Sequence, residues 1–332
     1  MKSSRFFQLI FFISIINLSN IFPQDNEPIF ESLKKYLKKD YFKVGMLYQF
    51  VGEYQPDRAK GHNGFSMANA RISIGGNLDN NFSYYIQANF LNSPSLLDAK
   101  MIYKFSDYLT VDIGQQKAPL SREYLTSAAS IDFVNRSQVV SSIAVKRQLG
   151  VLLRGDFKET AFGYSLGVFN GNGIVNGNDD EEFMYVGKLT YKNSFDNDKS
   201  FAAGLGGAFN KKNTVTDKKK EYYFDFDYRL TLGEFSLSGE YIYKKTEFNA
   251  GANPEDSGYH LTAGYMVSSF TQLLVRYDSF TPANSSSKSD YFILGVNLFP
   301  TSATEFQVNY LVNTKTGSVN QNLLLVNCQV AF

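Results

Sequence analysis

From Tyr41 onward the chain runs in short stretches where apolar and polar residues alternate one by one. In 109–114, Leu109, Val111 and Ile113 share one face, and Thr110, Asp112 and Gly114 the other. In 148–157, Leu149, Val151, Leu153 and Phe157 oppose Gln148, Arg154 and Asp156. A period of two marks a β-strand with one apolar and one polar face. The same alternation predicts sixteen strands, at roughly 41–55, 66–78, 81–92, 95–106, 108–116, 147–158, 161–170, 181–193, 199–211, 219–232, 234–246, 257–268, 270–281, 288–299, 302–313 and 321–332. The links between them alternate in length. Tight ones fall near Asp79, Asp107, Glu159, Asn197, Gly233, Ser269 and Thr301; longer ones occupy 56–65, 117–146, 171–180, 212–218, 247–256, 282–287 and 314–320, with 93–94 a short exception.

An even number of antiparallel strands with short and long links in turn points to an all-β fold, a sixteen-stranded antiparallel transmembrane β-barrel of the bacterial outer membrane. Strands of this length cross a bilayer when tilted, whereas a soluble sandwich has shorter strands and less regular links. Lipid cannot satisfy a free sheet edge, so the sheet must close, with one face to lipid and the other to the lumen. Phe224, Phe226, Tyr228, Leu230 and Leu232 form one predicted lipid stripe; Leu273, Val275 and Tyr277 form another. The last strand adds Leu324, Val326, Cys328, Val330 and Phe332. Membrane lipid is thus the first expected partner. The polar face carries ten basic positions, among them Arg71 and Arg154, against nine acidic ones. Such a wall predicts weak ion selectivity. Arg229 with Asp227, and Arg276 with Asp278, are expected to pair along their strands.

The ends of the barrel region add detail. Residues 1–24 read as a signal peptide, with Lys2 and Arg5 before the apolar run 6–18, so export is expected. Residues 25–40 read as a periplasmic lead-in, and Phe30, Leu33 and Leu37 give part of it a helical spacing. The barrel is assigned to 41–332. The 33 basic and 32 acidic residues become 31 and 32 once Lys2 and Arg5 are removed, about −1 overall. That balance argues against nucleic acid as a partner. It also requires any anion preference to come from charge placement. The single Cys328 rules out an internal disulfide framework.

Chemistry is sparse. His62 and His260, the only histidines, lie far apart, so no metal site is expected. The loop from Asn170 to Glu182 offers oxygen ligands without an EF-hand spacing and reads as a solvated acidic loop. No nucleophile can be set beside His260, and no phosphate-cradling glycine motif precedes a helix; no enzyme activity and no cofactor are expected.

The longest link, from Lys117 to Lys146, stands apart. Counted through Arg147 it holds five basic residues, Lys117, Arg122, Arg136, Lys146 and Arg147, against Glu123 and Asp132. A link this long among hairpins points to function. Three stretches here resemble a known family: Gly114-Gln115-Gln116-Lys117-Ala118-Pro119-Leu120-Ser121-Arg122-Glu123, then Arg147-Gln148-Leu149-Gly150-Val151, then Gly167-Val168-Phe169-Asn170-Gly171. In order and spacing they resemble the phosphate-selective porin O and P family, over about 71–171. The resemblance implies a sixteen-stranded outer-membrane barrel of a Gram-negative bacterium, a homotrimer, with the third outer loop folded inward. Lys117 and Ser121 sit on its K-x-P-x-S pattern, and Arg147 on its R-x-x-G-V pattern. If the loop folds inward, Lys117, Ser121, Arg122, Arg136 and Arg147, with Arg71 and Arg154 of the wall, become the candidate constriction and anion site. Strand parity puts Arg147 on the apolar side, where it would cap the rim. Each of these residues could equally anchor the loop to the wall. The function read from the sequence is passive diffusion of small solutes, biased to anions such as phosphate. An unselective pore, and a non-conducting barrel whose outer loops bind a partner, are the alternatives.

Overall fold

A computed structural model describes residues 38–59, 62–91, 93–214, 218–283, 288–315 and 318–332. Sixteen strands form the wall: β1 (Phe42–Tyr54), β2 (Gly64–Asn77), β3 (Phe82–Asn89), β4 (Leu96–Lys104), β5 (Thr110–Lys117), β6 (Arg147–Phe157), β7 (Phe162–Phe169) and β8 (Met184–Asp196). They continue as β9 (Lys199–Asn213), β10 (Lys218–Leu232), β11 (Phe235–Phe248), β12 (Glu255–Ser268), β13 (Thr271–Thr281), β14 (Ser289–Thr301), β15 (Thr304–Asn313) and β16 (Leu323–Ala331). Each pairs antiparallel with the next, and β16 closes on β1 from Leu324↔Tyr54 to Ala331↔Leu47. All sixteen predicted strands are present, and the sheet closes on itself instead of ending in two open edge strands.

The alternation that predicts the strands also sets their faces. Phe224 and Phe226 are 43% and 45% exposed, while Asp225 and Asp227 between and beside them are 0% and 2%. Apolar residues point out to lipid, and the polar ones in. Tight links turn where the backbone allows it. At the β10–β11 turn Gly233 takes a φ of 58°, the left-handed conformation a two-residue hairpin link favours. In β5, Gly114 has a φ of 130°, and a Cβ there would stand 2.2 Å from the Ala99 carbonyl oxygen, so the first glycine of the motif is a backbone requirement.

The expected signal peptide and residues 30–37 of the expected lead-in helix lie outside the described residues. Lys38 and Lys39 are extended and pair with Lys43 and Phe42. At that point the helical expectation gives way to the free flank of β1 beyond the end of β16, which offers backbone partners a short helix end lacks.

The link between β5 and β6 holds a short helix α1 (Arg122–Leu125), a 3₁₀ turn (Ala128–Ser130) and a second helix α2 (Gln138–Ile143). Among the described residues, each buried apolar cluster contains part of this link. Ala118, Leu120 and Val145 pack with Leu152, Phe169 and Val186. Val139, Val140 and Ile143 pack on Ile242; Val134 joins Val51 and Leu325; and Phe133 joins Leu274 and Ile293. Burying one such side chain contributes about 1.5–3 kcal/mol, so the link has its own reason to be ordered.

Candidate functional site

Carboxylates and carboxamides hold the β5–β6 link against polar-face residues of the wall. Glu240 of β11 accepts the Glu123 N–H at 2.8 Å, and Asp278 of β13 accepts the Gln138 N–H at 3.0 Å. Each thus meets unpaired amides in the first turn of a helix, where a negative group is favoured. Glu123 itself accepts from Ser137 N–H (2.9 Å), Ser137 Oγ–H (2.7 Å) and Arg276 Nη2 (2.8 Å). Burial alone would raise the Glu123 carboxyl; Arg276 first, then its other neighbours, outweigh this and hold it down at about 2. Further along, Gln49, Gln329, Gln307 and Asn297 donate to the carbonyls of Ala128, Ala129, Ile131 and Asp132, at 3.2, 2.9, 3.2 and 2.9 Å. Asn309 accepts the Val134 N–H at 2.8 Å. A loop stripped of water needs such partners for every backbone group.

The seven residues singled out from the sequence fall into two groups. Lys117 Nζ donates to the Tyr124, Leu125 and Thr126 carbonyls at 2.7, 3.0 and 3.0 Å, closing the C-terminus of α1. Ser121 is the N-cap of α1, its Oγ accepting the Tyr124 N–H at 3.0 Å. Arg122 pairs with Asp227 at 3.4 Å, and Arg154 with Asp112 at 3.1 Å. Arg147 donates to both oxygens of Asp98, at 3.1 and 2.8 Å. These five are occupied by the fold. Arg136 donates to the Glu123 and Thr126 carbonyls at 3.0 and 2.8 Å and stacks on Tyr124 with its Cζ 5.5 Å from the ring centre. Burial lowers its guanidinium from the ordinary value. Arg71 donates its Nε to Asn69 at 2.6 Å, and among the described residues no acidic group pairs with it.

Two expectations are corrected. Arg147 does not cap the rim: it is buried against Asp98, an inward-facing group. Alternation sets side-chain direction only inside a strand, and Arg147 is the first residue of β6, where a carboxylate within reach decides its course. The pairs Arg229–Asp227 and Arg276–Asp278 do not form. Arg229 pairs with Asp132 at 3.5 Å and Arg276 with Glu123 at 2.8 Å, while Asp227 takes Lys188 and Arg122. Residues two apart on a strand face stand about 6.6 Å apart, and the link brings closer partners.

Two cavities remain beside the link. One, of 760 Å³, is lined by Arg71, Tyr124, Arg136 and Lys146 and by side chains of β14, β15 and β16. The second, of 400 Å³, reaches the β14–β15 turn and the C-terminal Phe332. Arg71 is the residue common to the linings of both.

A closed sixteen-stranded wall enclosing cavities of mixed polar and apolar lining is an architecture shared with known proteins. Residues 42–194 match the family described as phosphate-selective porin O and P, which includes all three motifs. Those residues are just under half of the chain, and over them it resembles an outer-membrane porin. Among solved structures it is similar to an anion-selective porin from Comamonas acidovorans, 14% identical with a TM-score of 0.66, over 88% of this chain and 99% of that one. It is also similar to the outer membrane channel DcaP of Acinetobacter baumannii, 12% identical with a TM-score of 0.63, over 89% and 99%. A third is OmpT of Vibrio cholerae in a trimer form, 13% identical with a TM-score of 0.60, over 88% and 99%. At these identities the likeness is one of fold. No curated protein matches the chain. Family and fold together place the porin in the outer membrane of a Gram-negative cell.

Sequence reasoning missed the carboxamides. Gln49, Gln307, Gln329 and Asn297 alternate with apolar residues as any lumen position would, yet they are neutral donors suited to backbone carbonyls. The repeated Gln and Asn at inward positions of β15 and β16 (Gln307, Asn309, Asn327, Gln329) was the available signal. In the sequence Glu123 is only one negative charge, whereas in the fold it organises the link.

Proposed function

We propose that this porin is a passive channel biased toward small anions, and that solutes pass Arg71 on their way between the two cavities. The observation that carries this reading is the position of Arg71: it lines both spaces and pairs with no acidic group among the described residues. Arg136 lines the larger cavity and keeps one Nη free of the carbonyl bonds described above. In this reading Arg71 and Arg136 face the solute, and a planar guanidinium suits phosphate or carboxylate oxygens. Lys117, Ser121, Arg122, Arg147 and Arg154 shape the constriction by anchoring the link and the wall around it. A confined basic group raises the local anion concentration because low-dielectric walls focus its field.

The assembly that fits this reading is a homotrimer, with the exposed apolar outer wall shared between lipid and neighbouring copies. The test of function is the reversal potential of the purified porin in planar bilayers across a potassium chloride gradient. At an effective dielectric of about 40 and a separation of about 7 Å, one charge is worth about 1.2 kcal/mol to a passing ion, close to tenfold. The chloride preference of the wild type should therefore fall by about that factor in Arg71→Gln. A near-zero or cation-selective potential in the wild type leaves an unselective pore. No conductance from a folded barrel favours a surface-binding role for the outer loops.

A further inference from the structure

The larger cavity has an apolar wall, which a channel for inorganic anions does not need. A water-filled porin lumen is normally polar. Here the outer half of the inner wall on β14, β15 and β16 presents Ile293, Leu311, Leu323 and Leu325 inward, at positions where the alternation would place polar groups. Val134 of the link closes against the same panel. Leu311 and Leu323 are directly paired across β15 and β16 and are only half-buried, so they face the cavity space. The same cavity is lined by Arg71, Arg136, Lys146 and Tyr124. Among the described residues the only carboxylate in the lining is Asp278, and it accepts the Gln138 N–H. The cavity lining therefore combines basic groups and an aliphatic panel.

We infer that the cavity selects small organic anions with an apolar body, such as monocarboxylates bearing a branched aliphatic or aromatic group, over inorganic phosphate. The inference rests on the anion-channel reading above and names its substrate class. The carboxylate would lie against the Arg71 and Arg136 guanidinium groups, and the hydrocarbon along Leu311 and Leu323. A volume of 760 Å³ accommodates such a molecule with water around it. Phosphate would find the same cations but would leave the aliphatic panel wet.

The test measures how straight-chain carboxylates from acetate to octanoate, and phosphate, reduce chloride current through single porin channels. Full burial of a methylene contributes about fourfold, from about 0.8 kcal/mol, and contact on one side about twofold. The half-blocking concentration should therefore fall about twofold to fourfold with each added methylene, and octanoate should block better than phosphate. In Leu311→Asn with Leu323→Asn the dependence on chain length should flatten, with folding checked by heat-modifiable gel mobility. Arg71→Gln should weaken block by every carboxylate. A conducting, anion-selective channel that acetate and octanoate block equally, or that phosphate blocks best, overturns the inference and leaves the anion channel standing. Equal block by octanol and octanoate also overturns it, since the charge would then contribute nothing. A channel without anion preference removes the underlying reading instead.

Discussion

Replacing Glu123 by glutamine should release the β5–β6 link from the barrel wall. The wild-type carboxylate takes Arg276 at 2.8 Å and two donors from Ser137, and it joins α1 to α2 across the link. Arg276 is 2% exposed, so the variant leaves a guanidinium buried without its counter-charge. Breaking a buried pair in this way costs about 3–5 kcal/mol. A second route gives a similar figure: the carboxyl falls from 4.5 to about 2, and at about 1.36 kcal/mol per pH unit that is about 3 kcal/mol. Three kilocalories raise the population of a detached link by about 150-fold. The sign with pH follows from the depressed value. The stabilisation is complete above about pH 4.5 and is lost as pH falls from there toward about 2. Two readouts apply: trypsin cleavage after Arg122 and Arg136 in detergent, and open-channel noise in planar bilayers. The variant at pH 7 should be cut faster and flicker more, and the wild type should approach that behaviour near pH 3. Cleavage and noise unchanged in Glu123→Gln would refute the claim that this carboxylate holds the link.

Other perturbations should separate backbone, anchoring and solute-facing roles. Gly114→Ala places a methyl carbon 2.2 Å from the Ala99 oxygen at a φ of 130°, so the barrel should fail to reach its heat-modifiable form; normal assembly would show that the glycine is not required. Arg147→Met leaves the Asp98 carboxylate buried and unpaired, so melting should fall by several degrees while chloride preference changes less than in Arg71→Gln; the reverse order would make Arg147 the solute contact. Gln307→Leu leaves the Ile131 carbonyl without its donor at a cost of about 1–3 kcal/mol, and trypsin sensitivity of the link should rise less than in Glu123→Gln.

How much of this was legible beforehand differs between wall and site. The alternation of Phe224, Asp225, Phe226 and Asp227 states both the strand and its two faces, because a closed sheet in lipid permits no other arrangement of those residues. The link lengths added topology, and the Gly114–Glu123 motif marked the link that matters. The partners of the charges were not legible. Nearness in sequence pairs Arg276 with Asp278, but it meets Glu123, 153 positions away. Parity sends Arg147 to the rim, and Asp98 turns it inward.

The sequence by itself determined what each strand must do locally: alternate, turn at glycine or a short polar link, and show an apolar stripe to lipid. Those are properties of period and composition within ten or fifteen residues, and they hold whatever lies opposite. Only the tertiary structure decided which cations remain available in the lumen. Folding pairs Arg122, Arg147 and Arg154 with wall carboxylates and Lys117 with carbonyls of the β5–β6 link itself, while Arg71 lines the cavities without an acidic partner among the described residues. Charge pairing depends on distance in space, and a linear alternation of residues carries no information about which strands will face one another across a lumen.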